Sequence, residues 1–141
     1  MTTRMKFKLF IDGMKIPAKA HTPDVGFDIF MPEAFSIAPF ETKTISLGLG
    51  VAIPEGFAGM LVPRSSVAAK GLIVQTSIID PAYTGEIHLI VTNCSTKEQH
   101  VEAGMRLCSL VAYSVLNPYV EIVDELEPSV RGDKGLGSTG A

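Results

Sequence analysis

Cysteine, histidine clusters, basic charge and long apolar runs are all scarce in this chain, and each shortage removes a class of function. Only two cysteines occur, Cys94 and Cys108. They are too few for a disulfide scaffold and lack metal-ligand spacing, so both are expected to be buried free thiols in a reducing compartment. His21, His88 and His100 are scattered and suggest no zinc site. Twelve Lys and Arg stand against fifteen Asp and Glu, a formal net charge of −3. That balance excludes a broad electrostatic footprint for nucleic acid, so any anion site must be a local cluster of positive groups. No apolar run approaches membrane-spanning length, and the opening residues Met1 to Lys6 lack the apolar stretch of a signal peptide. A cytoplasmic protein that binds neither membrane nor nucleic acid is the expectation. What remains is 141 residues with 46% hydrophobic content, enough for one domain with a core of its own.

Helical periodicity is also nearly absent, and alternation with period two takes its place. From Thr42 to Ile53 the odd positions Ile45, Leu47, Leu49, Val51 and Ile53 are apolar, while the even ones are Thr44, Ser46, Gly48, Gly50 and Ala52. Gly85 to Asn93 repeats the pattern with Ile87, Leu89 and Val91 on one face. Shorter strands are expected over Lys6–Ile11, Phe35–Ile37, Gly56–Val62, Arg106–Ser114 and Tyr119–Val123, with prolines and glycines punctuating the intervals. One segment alone reads as helical: Ser65-Ser66-Val67-Ala68-Ala69-Lys70-Gly71 opens on capping hydroxyls, runs through alanines and stops at a glycine. Many short strands and one small helix predict an all-β fold, a sandwich, jelly roll or small barrel. The alternation ends near Glu125, which divides the chain into a folded body, 1–124, and an arm, 125–141.

Four clusters in the body could carry chemistry, and each has a plainer explanation. Pro63-Arg64-Ser65-Ser66 closes a strand and opens the short helix, where free N–H groups and a guanidinium would suit phosphate; a serine cap beside a surface arginine fits equally well. Asp80, inside Ser77-Ile78-Ile79-Asp80-Pro81-Ala82-Tyr83-Thr84-Gly85-Glu86, sits at the corner of an expected hairpin. A lone acid there beside a tyrosine could act as general base on a water, although Asp before Pro is first of all a turn starter. Asp24 and Asp28, four residues apart around Gly26, could hold magnesium directly or through water, while solvated loop acids are the commoner case. Arg106, at the start of an apolar strand, says little alone.

The tail from Arg131 to Gly140 combines two cations, two hydroxyls and four glycines with almost no apolar surface to offset its ordering entropy. It suits a flap that orders on a polyphosphate; in isolation a frayed terminus describes it better. Gly135-x-Gly137-x-x-Gly140 has dinucleotide-binding spacing but no helix after it, and no Gly-Lys-Ser/Thr follows to make a P-loop.

The order of these clusters resembles the five motifs of the homotrimeric all-β dUTPase family. Asp24 to Ile29 is similar to the first motif and Pro63 to Leu72 to the second. Ile78-Ile79-Asp80-x-x-Tyr83-x-Gly85-Glu86-Ile87, followed by Asn93, resembles the third. Gly104-x-Arg106-Leu107-x-x-Leu110-Val111 resembles the fourth, and Arg131 to Gly140 the fifth. The resemblance covers about Pro17 to Gly140. It implies a distorted jelly-roll subunit with a mobile arm, a homotrimer with active sites between subunits, and hydrolysis of dUTP to dUMP and pyrophosphate with Mg2+. That reaction would keep uracil out of DNA and supply dUMP for dTMP synthesis. By the same resemblance Asp80 would orient and deprotonate the attacking water. Tyr83 would pack on deoxyribose and reject a 2′-hydroxyl, and the backbone from Val74 through Ser77 to Ile79 would pair with uracil. Arg64, Ser65 and Ser66 would bind phosphates, with Arg131, Leu136, Gly137, Ser138 and Thr139 closing from the arm. Asp28 would hold magnesium through water.

Three positions depart from the family pattern. Leu136 stands where an aromatic residue usually stacks on the base, a loss of roughly 1 kcal/mol of ring contact. Ser109 stands where the fourth motif carries glutamine, and Ser77 where the third has glycine. These departures keep open a dUTPase-like binding or regulatory protein with weak catalysis. The related dCTP deaminases share several motifs but need a glutamate three residues before the asparagine, where this chain has Ile90. Without that acid, activation of water for deamination lacks its base.

Overall fold

The computed structural model describes residues 3–135. Eleven short strands and one helical turn make up its regular structure. In chain order they are β1 (Lys6–Leu9), β2 (Phe27–Phe30), β3 (Phe35–Ile37), β4 (Thr42–Ser46), β5 (Leu49–Ala52), β6 (Phe57–Pro63), α1 (Ser65–Ala68), β7 (Leu72–Val74), β8 (Ser77–Ile79), β9 (His88–Asn93), β10 (Gln99–Val101) and β11 (Arg106–Ser114). A four-stranded sheet, β2-β11-β6-β8, a three-stranded sheet, β4-β9-β7, and the two-stranded pairs β1-β5 and β10-β3 are antiparallel throughout. The all-β expectation holds, and the jelly-roll-like subunit is consistent with this arrangement.

The alternating residues supply the core. Leu47, Leu49, Val51, Leu89 and Val91 are at most 2% exposed and pack with Ile29, Ile37, Leu61, Leu107 and Leu110. Antiparallel pairing delivers the two faces of each strand to opposite environments, which is why the pattern marks them so clearly. Asn93 lies in this core fully buried. Its Nδ2 donates to the Ile37 and Lys97 carbonyls, and its Oδ1 accepts from the Ser95 N–H and hydroxyl. It knots the turn after β9, which is a structural task.

The stretch Thr42–Ile53 reads as one run but folds as two strands. Gly48 takes φ +66 with Ile11 packed against its Cα, and the chain bends there. β4 then pairs with β9 while β5 pairs with β1. Gly50 faces the backbone of the Asp80 segment so closely that a Cβ would lie 2.8 Å from the Gly85 carbonyl oxygen. Gly50→Ala is therefore expected to destabilise the fold by about 1–3 kcal/mol, because backbone must move to admit the methyl; thermal unfolding would read this as a lowered midpoint.

Four expectations need correction. Tyr119–Val123 forms no strand: Tyr119, Val120 and Ile122 are at least 92% exposed, and among the described residues no strand pairs with them to complete their hydrogen bonds. Cys94 is exposed, since β9 ends at Asn93 and the chain turns outward; only Cys108 is buried. The helix is four residues long with Arg64 at its N-cap and no side-chain cap bond, so the serines begin the turn without capping it. Finally, Asp80 is not at the corner of a two-strand hairpin. β8 pairs with β6, whereas β9 pairs with β4 and β7, so the Asp80 turn carries the chain from one sheet to another.

Candidate active site

That crossing is held from both ends. The Tyr83 N–H donates to the Asp80 carbonyl at 3.0 Å, closing the turn. The Tyr83 hydroxyl donates to the Glu86 carbonyl at 2.6 Å, folding the ring back over Gly85, where a Cβ would meet the hydroxyl at 2.8 Å. Glu86 accepts from the Ser46 hydroxyl and, at 3.1 Å, from the Gly48 N–H. Ile87 donates to Leu49 and accepts from Leu47 at 2.8 and 3.0 Å. The turn is thus anchored by backbone, and the Asp80 carboxylate stays exposed. A cleft of about 270 Å³ opens beside it, with Ser77, Ile79, Asp80, Tyr83 and His88 among its walls. One apolar side, one acid and one ring are what a small ring-bearing ligand and a water would require.

A second cleft, about 390 Å³, is bordered by Arg64, Ser66, Lys70, His100 and Arg106. The Ser65 and Ser66 hydroxyls make no hydrogen bond to another described residue, so they are free to meet a ligand. Behind this cleft stands a network that the sequence did not disclose. Asp28, 9% exposed, accepts from Arg106 Nη1 on Oδ2 and from the Ser109 hydroxyl on Oδ1, both at 2.8 Å. Arg64 Nε lies 4.0 Å from the same Oδ1, and its Nη1 donates to the Arg106 carbonyl at 3.5 Å. Asp28 therefore steers two guanidiniums. The β2–β11 register, which sets Ser109 opposite Asp28, creates the contact, and no local pattern signals it across eighty residues. Asp24 by contrast accepts from the His21 N–H at 2.8 Å and behaves as a turn acid.

Asp28→Ala should leave Arg106 and Ser109 without their acceptor and Arg64 without its guide. A loss of about 1–2 kcal/mol is expected, discounted because Arg106 is over a third exposed. Weaker polyphosphate binding should accompany it, and denaturant melts alongside ligand titration would separate the two effects.

Behind Asp28, burial first and the neighbouring carboxylate second push the Cys108 thiol up from 9.0 to about 12. It stays neutral at ordinary pH, and burial shields it from reagents. Native protein should therefore titrate one thiol, Cys94, with a disulfide reagent near pH 8, and two after unfolding. The sign for stability follows. Below pH 9 both states keep the proton; between 9 and 12 the unfolded chain releases it and the native one does not, so stability falls as pH rises through that window.

The remaining expected residues fall elsewhere. Val74 is buried on β7, opposite Val91, and its side chain faces the core. Arg131 is exposed, its Nε donating to the Lys134 carbonyl at 3.0 Å. Leu136, Gly137, Ser138 and Thr139 lie outside the described residues. Ile90 is half-buried on β9, with no acid in its place. The Asp80 cleft and the Arg64 cleft share no lining residue. No cluster of three or more His, Cys, Asp or Glu able to hold a metal occurs among the described residues, and none of their helices is long and apolar enough to cross a membrane.

Comparison with known proteins gives a consistent result. The dUTPase family model matches residues 12–140. The deoxyuridine 5'-triphosphate nucleotidohydrolase of Clostridium novyi (strain NT) is 38% identical over 128 residues, 89% of this chain and 90% of that relative. The dUTPase of Staphylococcus bacteriophage 80alpha with dUPNHPP superposes with a TM-score of 0.93 at 29% identity, covering 99% of this chain and 100% of the phage chain. A mutant dUTPase from phage phi11 of S. aureus, in which a structural Mg(II) ion is coordinated, superposes at 0.82 with 25% identity, over 87% of this chain and 98% of that one.

Proposed function

We propose, because the chain belongs to the dUTPase family, that it is a dUTP diphosphatase, hydrolysing dUTP to dUMP and pyrophosphate. The observation that carries this reading is the pairing of a backbone-anchored acid and tyrosine in one cleft with a guanidinium and serine in the other. The first pair serves the water and sugar, and the second serves the phosphates.

Asp80 takes the proton of a water aimed at the α-phosphorus, and its fixed turn supplies the orientation on which phosphoryl transfer mostly depends. Tyr83, held by its hydroxyl to Glu86, presents a ring face to deoxyribose. A 2′-hydroxyl would crowd that face. Ser77 and Ile79 border the base, and the Ser77 side chain adds a hydroxymethyl to a wall where glycine would leave room. Arg64, Ser65 and Ser66 bind phosphate oxygens; Asp28, through Arg106, keeps Arg64 in place.

Magnesium fits this donor set only as an ion held chiefly by the triphosphate, with Asp28 reached through water, because Arg106 and Ser109 already engage both carboxylate oxygens. Bound there, it would offset phosphate charge.

The same geometry is consistent with a homotrimer. Two half-sites that share no wall within one chain would meet if neighbouring subunits each supplied one. The exposed apolar residues Leu116, Val120, Ile122 and Leu126 offer a surface for such contact. The arm, 125–141, would then bring Arg131, Leu136, Gly137, Ser138 and Thr139 over the phosphates and base. A cytoplasmic location and a role in keeping uracil out of DNA complete the reading.

The test is pyrophosphate release from dUTP, dCTP, dTTP and UTP in parallel, with magnesium. Rapid release from dUTP alone is expected. Binding without release would favour a regulatory protein, and release from UTP would remove Tyr83 from its role.

A further inference from the structure

We propose that Lys15 and Lys19, with Arg106, form a second anion subsite that receives the far end of a polyphosphate: the terminal phosphates of the nucleoside triphosphate, and pyrophosphate after cleavage. Its ligand rests on the dUTP reading above; its geometry does not.

A polar cleft of about 460 Å³ is bordered by Lys15, Lys19, Asp28, Phe30, Gly104 and Arg106. Gly104 and Arg106 also border the Arg64 cleft, so the two spaces meet at the Arg106 side chain. Three cations here face one carboxylate, and that carboxylate is already taken by Arg106 and Ser109. Among the described residues, neither lysine has an acidic partner within ion-pair distance. Each instead rests on a ring: Lys15 Nζ lies 4.1 Å from the Phe30 centroid and Lys19 Nζ 5.1 Å from that of Phe27. An aromatic face holds a cation in place without neutralising it, leaving its full charge for an anion.

The backbone fixes this placement. Ala18 and Asp28 exchange N–H donations to each other's carbonyls, at 3.3 and 2.8 Å, which pins the segment carrying Lys19 against β2. In a chain of net charge −3, this makes a local positive track from Arg64 through Arg106 to the two lysines. Such a track attracts the multiply charged pyrophosphate more than a monophosphate.

Calorimetric titration with inorganic pyrophosphate, on the unmodified chain and on Lys15→Ala/Lys19→Ala, tests the subsite directly. The double variant should bind pyrophosphate about fivefold to tenfold more weakly, as expected from two lost, partly exposed charge contacts. Lys15→Arg/Lys19→Arg should restore most of the affinity. In kinetics the KM for dUTP should rise severalfold, while inhibition by dUMP stays within about twofold, since dUMP does not reach the subsite. Equal pyrophosphate affinity in the unmodified chain and the alanine variant would overturn the proposal. An equal loss for dUMP would also overturn it, by showing damage to the whole site. Should the unmodified chain fail to hydrolyse dUTP, the functional reading falls, and the pyrophosphate titration still decides the subsite.

Discussion

Asp80→Asn is expected to lower pyrophosphate release from dUTP by about a thousandfold while leaving affinity for dUPNHPP within a few-fold. The substitution keeps shape and removes the basic oxygen, and a positioned general base contributes roughly a hundredfold to ten-thousandfold. The local fold should not respond. Its turn is closed by the Asp80 carbonyl and the Tyr83 N–H, and its flanks are tied through Glu86 and Ile87; none of these bonds uses the carboxylate. Single-turnover rates and calorimetry together read both halves of the expectation. A variant that turns over at the original rate would remove Asp80 from its role, and one that no longer binds would show the carboxylate holding ligand.

Truncation after Glu127 should reduce turnover by roughly a hundredfold or more and leave the body folded with an unchanged melting midpoint. The folding half follows from exposure: from Ser114 to Gly135 every described residue is exposed, so the body owes the arm little buried surface. The catalytic half follows from charge. Arg131 and the Ser138 and Thr139 hydroxyls are donors that a closing arm would add to a triphosphate, and charge-assisted bonds in a water-excluded site are among the strongest available to catalysis. Full activity in the shortened chain would show that the Arg64 and Asp80 clefts suffice. Loss of the fold would instead place the arm in the assembly.

The two expectations draw on different reaches of the sequence. Asp80, Tyr83, Arg64 and Ser66 were marked by residue types within short segments, and each borders a cleft. Asp28 was also marked, but its partners were not. As part of a local cluster it looked like a solvated or metal-facing acid, whereas β11 brings Arg106 and Ser109 onto its two oxygens. The serine at 109, a departure from the family pattern on sequence, proves to be one of the groups holding Asp28. Lys15 and Lys19 carried no pattern at all, since only the Ala18–Asp28 bridge sets them beside Arg106.

Strand content, an inward apolar face and the family motifs were written in the chain because alternation and short motifs depend on near neighbours, and burial then selects the face. Which strand lies beside which was not so written. The break at Gly48, the passage of the Asp80 turn between sheets, and the exposure of 119–123 depend on hydrogen bonds closed between residues far apart in sequence. Pairing partners compete over the whole chain, and packing decides among them. The candidate residues were therefore marked by local sequence, whereas the contacts of Asp28 with Arg106 and Ser109 depend on the β2–β11 register.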